Sequence, residues 1–148
     1  MKNRLLLLIP SLLLAAQAIA DINVRANPAY FLGGAINAEL DIGVGDRWAL
    51  GPSVTTGVLL DEFIFGAHLH LYRQPRRDNG WYTGLAVRHS PTGLAFTDRF
   101  TSIRILERYQ WHGDNFNLAV GIGPDLRQDH RDDWQLWVGA DLSLGWRF

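Results

Sequence analysis

Two histidines one residue apart, His68 and His70, sit in the run Phe63-Ile64-Phe65-Gly66-Ala67-His68-Leu69-His70. On a strand, positions i and i+2 share a face, so both imidazoles point the same way, as a metal pair requires. Spacing alone supplies no third ligand. The pair is expected to fill an interior and hydrogen-bond to Glu39 or Asp41. His89 and Ser90 are adjacent, so a strand would send them to opposite faces and His89 is badly placed to activate Ser90. Asp129, His130, Asp132 and Asp133 form an acidic segment. A divalent cation bridging anionic phosphates is one use for it, and a solvated polar loop is the expected one. The chain is therefore expected to be non-enzymatic, with no catalytic residues, no metal and no cofactor.

The elements that must position these groups are strands. From Trp134 to Phe148 the chain alternates, with Trp134, Leu136, Val138, Ala140, Leu142, Leu144, Trp146 and Phe148 on one face. A period of two marks a strand with one apolar and one polar face. Similar segments fall at 22–31, 35–44, 48–58, 63–73, 81–90, 101–111 and 116–125. With 134–147 that makes eight, an even number as single-chain outer-membrane barrels require. The expected fold is all-β: an eight-stranded antiparallel up-and-down transmembrane β-barrel. Gly45-Asp46-Arg47, Gln74 to Gly80 and His112-Gly113-Asp114 read as turns on the side of both termini. Leu32-Gly33-Gly34, Leu59 to Glu62, Pro91 to Phe100 and Leu126 to Asp133 connect the strands at the other end.

The amino terminus agrees with export. Lys2 and Arg4 precede the apolar stretches Leu5 to Ile9 and Leu12 to Ala16, and Ala18-Ile19-Ala20 is an A-x-A cleavage site. Residues 1–20 are expected to be a cleaved Sec signal peptide and residues 21–148 the barrel. Cleavage removes two basic and no acidic residues, moving the formal net charge from −1 to −3. Twelve arginines then face fifteen carboxylates, a balance that gives no reason to expect nucleic acid. With no cysteine, an exported chain must hold together without disulfides.

The sense of the alternation separates a membrane barrel from a soluble, lipocalin-like one. With the Phe148 face outward, the outer set includes Leu40, Ile42, Val54, Leu69, Leu85, Val87, Ile105, Leu118, Val120 and Ile122. The inner set then holds Arg25, Glu39, Asp41, His68, His70, Tyr72, Arg88, Arg104, Arg108, Asn117, Asp125, Asp141 and Arg147. An eight-stranded bore is just wide enough for side chains to fill, so these charges are expected to pair across a plugged lumen. Gly84, Ala86, Gly121, Gly123 and Gly139 are expected to make room for the arginines. Trp48, Trp81, Trp111, Phe116, Trp146 and Phe148 fall at strand ends beside the termini. Tyr30, Phe63, Phe65 and Trp134 fall near the opposite ends. Two aromatic girdles are what a membrane barrel carries. Glu107 fits badly, since strict alternation puts it outside beside Ile105 and Tyr109. A slip in the assumed register is the expected reason.

Asn27-Pro28 before Gly33-Gly34, then Asn37-Ala38-Glu39-Leu40, Trp48-Ala49-Leu50-Gly51-Pro52-Ser53, Gly80-Trp81-Tyr82-Thr83-Gly84 and Leu144-Gly145-Trp146-Arg147-Phe148, carry a resemblance. In these segments the chain resembles small eight-stranded bacterial outer-membrane barrels, of the DUF3575-like kind within the OmpA and OmpX type. The resemblance covers most of residues 21–148 and implies a location and an architecture, with no catalytic residues. It implies an outer-membrane monomer, with membrane lipids and lipopolysaccharide as partners, delivered to the barrel-assembly machinery through the strand ending in Phe148. Lipid A deacylases are barrels of similar size, but their His-x-Ser-Asn-Ala-Gly setting is matched here only by Gln128-Asp129-His130-Arg131-Asp132. A structural or envelope-maintenance role is the first expectation. A narrow channel for small solutes or ions is the second, and a lipid A-modifying enzyme the third.

Overall fold

The computed structural model describes residues 21–57, 63–91, 99–129, 131 and 133–148. The expected signal peptide, Leu59 to Glu62, most of Pro91 to Phe100, His130 and Asp132 lie outside the described residues. Eight strands follow in chain order: β1 (Ile22–Ala26), β2 (Ala35–Val44), β3 (Trp48–Gly57), β4 (Phe63–Tyr72), β5 (Gly80–Ser90), β6 (Phe100–His112), β7 (Phe116–Gln128) and β8 (Trp134–Arg147). Each pairs antiparallel with its neighbours in sequence, and β8 closes on β1 with Val24 opposite Trp146, forming an up-and-down barrel. Closure leaves no free sheet edge.

The expected first strand is interrupted. β1 ends at Ala26, and Pro28–Leu32 forms a short helix, α1. Pro28 has no N–H to give a ladder and its ring presets the first helical turn. The Asn27 side chain accepts the Ala29 N–H at 2.9 Å and caps that turn. Tyr30 is consequently no girdle residue: its hydroxyl accepts a 3.0 Å hydrogen bond from Arg88 in the lumen. At the other hairpins the strands run longer than the turn residues suggest, with β6 starting at Phe100 and β7 continuing to Gln128.

The alternation sorts the chain inside out relative to a water-soluble domain. Val54, Leu69, Leu85, Val87, Ile105, Val120 and Ile122 are exposed on the outer wall. Arg25, Asp41, His68, His70, Arg88, Arg104, Arg108, Asn117 and Asp125 are buried inside. The buried apolar cluster is small, comprising Ala49, Tyr72, Tyr82 and Ala119. Trp48, Trp81, Trp111, Phe116, Trp146 and Phe148 stand outside at the termini end, where the Trp81, Tyr109 and Trp111 rings meet edge to face. Trp134 is exposed at the far end, opposite Gln128.

Glu107 lies on the outer face, opposite Thr83 and Ile122, so the register is regular and no slip displaces it. Its Oε2 accepts from Arg73 at 2.5 Å and its Oε1 from the Thr83 hydroxyl at 2.5 Å. Thr83 neighbours the Trp81–Tyr109 pair by one step along the same face. The carboxylate is thus partnered beside the aromatic ring, where a polar outer residue costs least.

Two Gly-Pro pairs interrupt the ladders of the wall. The β2–β3 ladder pairs Glu39 with Ser53 and Ile42 with Leu50, skipping the positions between, where Gly51-Pro52 lies. The β6–β7 ladder pairs Arg104 with Asp125 and Glu107 with Ile122, skipping Gly123-Pro124 in the same way. Each proline faces out and withholds an N–H, and each glycine faces in against the neighbouring backbone. A Cβ on Gly51 would fall 1.6 Å from the Leu40 carbonyl oxygen, and one on Gly123 2.1 Å from that of Ile105. Gly123 therefore serves the wall and not an arginine. Gly51→Val and Gly123→Val are expected to lower stability by about 2 kcal/mol or more, read as the urea midpoint of the protein folded in detergent. Gly113→Ala, in an open turn, is expected to change it by less than about 0.5 kcal/mol.

Candidate functional site

The lumen gathers the charged residues into three layers. The middle layer is built around Asp41 on β2. Arg25 Nε of β1 lies 2.6 Å from Asp41 Oδ2, and both side chains are almost fully buried. From β4, His68 Nε2 bonds to Asp41 Oδ1 at 2.7 Å, and His70 Nδ1 lies 3.4 Å from the same oxygen. The strand period puts both imidazoles on one face, where they stack with centroids 4.5 Å apart. The rest of the Arg25 fork donates to Tyr82 Oη at 2.5 Å and Tyr72 Oη at 2.8 Å, and those rings stack on each other. Arg108 on β6 reaches Asp141 Oδ2 of β8 at 3.4 Å and Glu39 Oε2 at 3.8 Å. Its stem lies along Gly121, where any Cβ would sit 2.4 Å from Arg108 Cγ.

Asp41, His68 and His70 are the residues among those described that could hold a metal, each offering a ligand atom within 4.8 Å of the others. The donor set is short of what a dication wants. Asp41 Oδ2 is already held by Arg25, and Arg108 Nη1 stands 3.4 Å from His70 Nε2. A guanidinium can only donate, so His70 Nε2 accepts there and the Nδ1 proton is left for Asp41. An incoming cation would displace that proton and meet two fixed positive charges.

The layer beside the termini closes the bore. Asp21, ahead of β1, pairs with Arg76 at 3.1 Å, Arg147 at 3.2 Å and Arg77 at 3.5 Å. Gln110 Nε2 donates to the carbonyls of Arg76 and Asp78, holding the β4–β5 turn beneath the barrel. A chain of amides, Asn117 to Asn23 to Asp41, ties this layer to the middle one. Arg147 therefore pairs with Asp21 at the mouth, away from Glu39, Asp41 and Asp141. The far layer holds Arg88, Arg104 and Arg127 around Asp125.

Sequence reasoning missed Asp21, Asn23, Arg76, Tyr82, Gln110 and Arg127 as lumen residues. Phase alone assigns Tyr82 and Gln110, which lie within the strands as read from the sequence, and assigns Arg127 once β7 is given its full length. Arg76 belongs to a turn and carries no such signal. His89 and Ser90 point apart: His89 bonds to Thr101 Oγ1 on the outer face, and Ser90 Oγ donates to the Phe63 carbonyl. Asp129 Oδ1 accepts the N–H groups of Arg131 and Asp133, so this carboxylate orders its own turn.

The fold and its lumen define a class, the closed eight-stranded antiparallel barrel with a polar, side-chain-filled interior. No family model, curated protein or solved structure matches the chain.

The Arg25–Asp41 contact is the test of how the middle layer is held. Asp41→Leu, which strands a buried guanidinium, is expected to cost about 3–5 kcal/mol in urea unfolding. Arg25→Met with Asp41→Leu is expected to recover most of that loss. Equal, additive losses would mean the two residues do not interact.

Proposed function

We propose that this protein is a non-enzymatic bacterial outer-membrane barrel with a structural or envelope-maintenance role, anchored by its outer wall and closed by its lumen. The observation that carries the reading is the inverted distribution of polarity. Large apolar side chains cover the outside of a closed sheet, and buried ion pairs fill the inside. In water such a wall would expose an apolar surface far beyond the few hundred Å² that soluble monomers tolerate. In a bilayer it is the solvated surface, and closure satisfies the backbone that lipid cannot.

Further features support the same reading. Residues 1–20 have the form of a Sec signal peptide, consistent with export. The aromatic ring beside the termini matches an interfacial girdle, with the termini and short turns on the periplasmic side. Phe148 leaves its ring exposed at the end of β8 while its N–H donates to the Ile22 carbonyl at 2.9 Å. That exposed terminal ring suits capture by the barrel-assembly machinery, and the outer wall suits membrane lipids and lipopolysaccharide as surroundings. The closed eight-stranded architecture and the girdle support a kinship with barrels of the OmpA and OmpX type, including the DUF3575-like kind.

Three measurements test the reading. The protein is expected in the outer-membrane fraction with heat-modifiable migration on gels; recovery as a soluble periplasmic protein would overturn it. Planar bilayers containing the folded barrel are expected to stay silent, and steady single-channel openings would replace the closed lumen with a narrow channel. Deleting Phe148 is expected to lower the folded fraction in cells severalfold while leaving refolding into detergent intact.

A further inference from the structure

Among the described residues, the layer at the barrel end away from the termini sets three arginines around one carboxylate. Arg88 of β5, Arg104 of β6 and Arg127 of β7 all aim at a single oxygen, Asp125 Oδ2, at 3.0, 2.9 and 3.4 Å. Arg104 adds its Nε at 3.3 Å. One carboxylate oxygen offers about two lone-pair sites, so these N–H groups overfill it. Meanwhile Asp125 Oδ1 and the Nε groups of Arg88 and Arg127 are buried without a hydrogen-bond partner.

Among the described residues, the remaining contacts of this layer carry no negative charge. Arg88 donates to the hydroxyls of Tyr30 and Ser102. Arg127 lies between aromatic faces, 5.1 Å from the Phe100 centroid and 5.5 Å from that of Trp137. The next carboxylate inward, Asp141, is already held by Arg108 and Asn27. Among the described residues, three guanidiniums against one carboxylate leave a formal surplus of two positive charges. The side chains of Arg88 and Arg104 are only 10% exposed, so bulk water screens little of it.

We propose that this mouth of the lumen binds a tetrahedral oxyanion of the phosphate class between Arg88, Arg104 and Arg127. A phosphate monoester or inorganic phosphate carries close to two negative charges at neutral pH, which matches the surplus. Its separate oxygens suit forks arriving from three strands, where a planar carboxylate would engage fewer of them. Arg127, the most accessible of the three and the one fixed by aromatic stacking, is the first contact for an anion arriving from outside. The phosphate comes either free in solution or on a lipid headgroup reaching over the rim. The site depends on the lumen alone, so it stands or falls separately from the membrane reading.

Calorimetric titration of the folded, detergent-solubilised protein with sodium phosphate, against sodium chloride at equal ionic strength, tests the site. Heat-modifiable migration of the same sample confirms that the barrel is folded. Saturable binding of phosphate is expected, weakened about tenfold or more by Arg127→Gln. Asp125→Asn removes the competing carboxylate and is expected to tighten binding, the opposite of what damage to the fold would do. If Asp125→Asn does not refold, Arg127→Lys serves instead, and is expected to fall between wild type and Arg127→Gln. A parallel titration uses mixed micelles of lipid A with and without its phosphates. Saturation by inorganic phosphate assigns a free oxyanion. Saturation only by phosphorylated lipid A, lost in Arg127→Gln, assigns a headgroup. No binding in either arm, or binding unchanged by Arg127→Gln, would overturn the proposal.

Discussion

Everything in this barrel depends on placing guanidinium groups where water barely reaches. Eight strands close around a bore that side chains alone can fill, and the inward phase supplies arginines where a soluble barrel would supply leucines. A buried guanidinium is tolerable only with a carboxylate against it and its other N–H groups satisfied. Arg25 meets both conditions, with Asp41 at 2.6 Å and two tyrosine oxygens on its remaining fork. Since those partners come from β1, β2, β4 and β5, the ion pair also fixes how the strands sit across the bore. Arg108 does the same for β2, β6 and β8 through Glu39 and Asp141.

The wall is shaped to admit these side chains. Gly121 yields its Cβ volume to the Arg108 stem, and Gly139 leaves Arg104 Nε 3.1 Å from where its own Cβ would stand. Gly51 and Gly123 have another task, bringing neighbouring backbone close beside an outward proline. The wall therefore uses inward glycine in two ways, as space for a long cation and as a point of close backbone approach. Both help the interior to be crowded with charge while the outer face stays predominantly apolar.

Much of this was legible in the sequence because the period of a strand is two and a closed sheet transmits phase from strand to strand. The alternation ending at Phe148 sorted Asp41, His68, His70, Arg88, Arg104, Arg108, Asp125 and Asp141 to the inside. It also placed Glu107 outside, and the apparent misfit was a genuine exterior carboxylate satisfied by Arg73 and Thr83. Partner choice was illegible, because phase gives a face and not a height. Arg147 shares the inward face with Asp141, yet pairs with Asp21 at the mouth. Helix α1 was hidden in a run resembling strand, with Asn27-Pro28 as its local signal. Arg127 was lost by ending β7 two residues before it.

The layers differ in charge along the axis. With the histidines counted neutral, the middle layer sets Arg25 and Arg108 against Glu39, Asp41 and Asp141, a formal deficit of one. Among the described residues, the ion-pair clusters at both ends carry a surplus, with Arg76, Arg77 and Arg147 around Asp21 on one side and Arg88, Arg104 and Arg127 around Asp125 on the other. A cation moving inward from either end first meets fixed arginines, and an anion that passes them meets the carboxylates. Neither sign has a continuous favourable path, in a bore already occupied by stacked tyrosines and by the turn that Gln110 holds in place. Charge pairing in the middle and charge surplus at the ends thus follow from one constraint: opposite charges must meet inside, and only the ends can draw a counterion from solution.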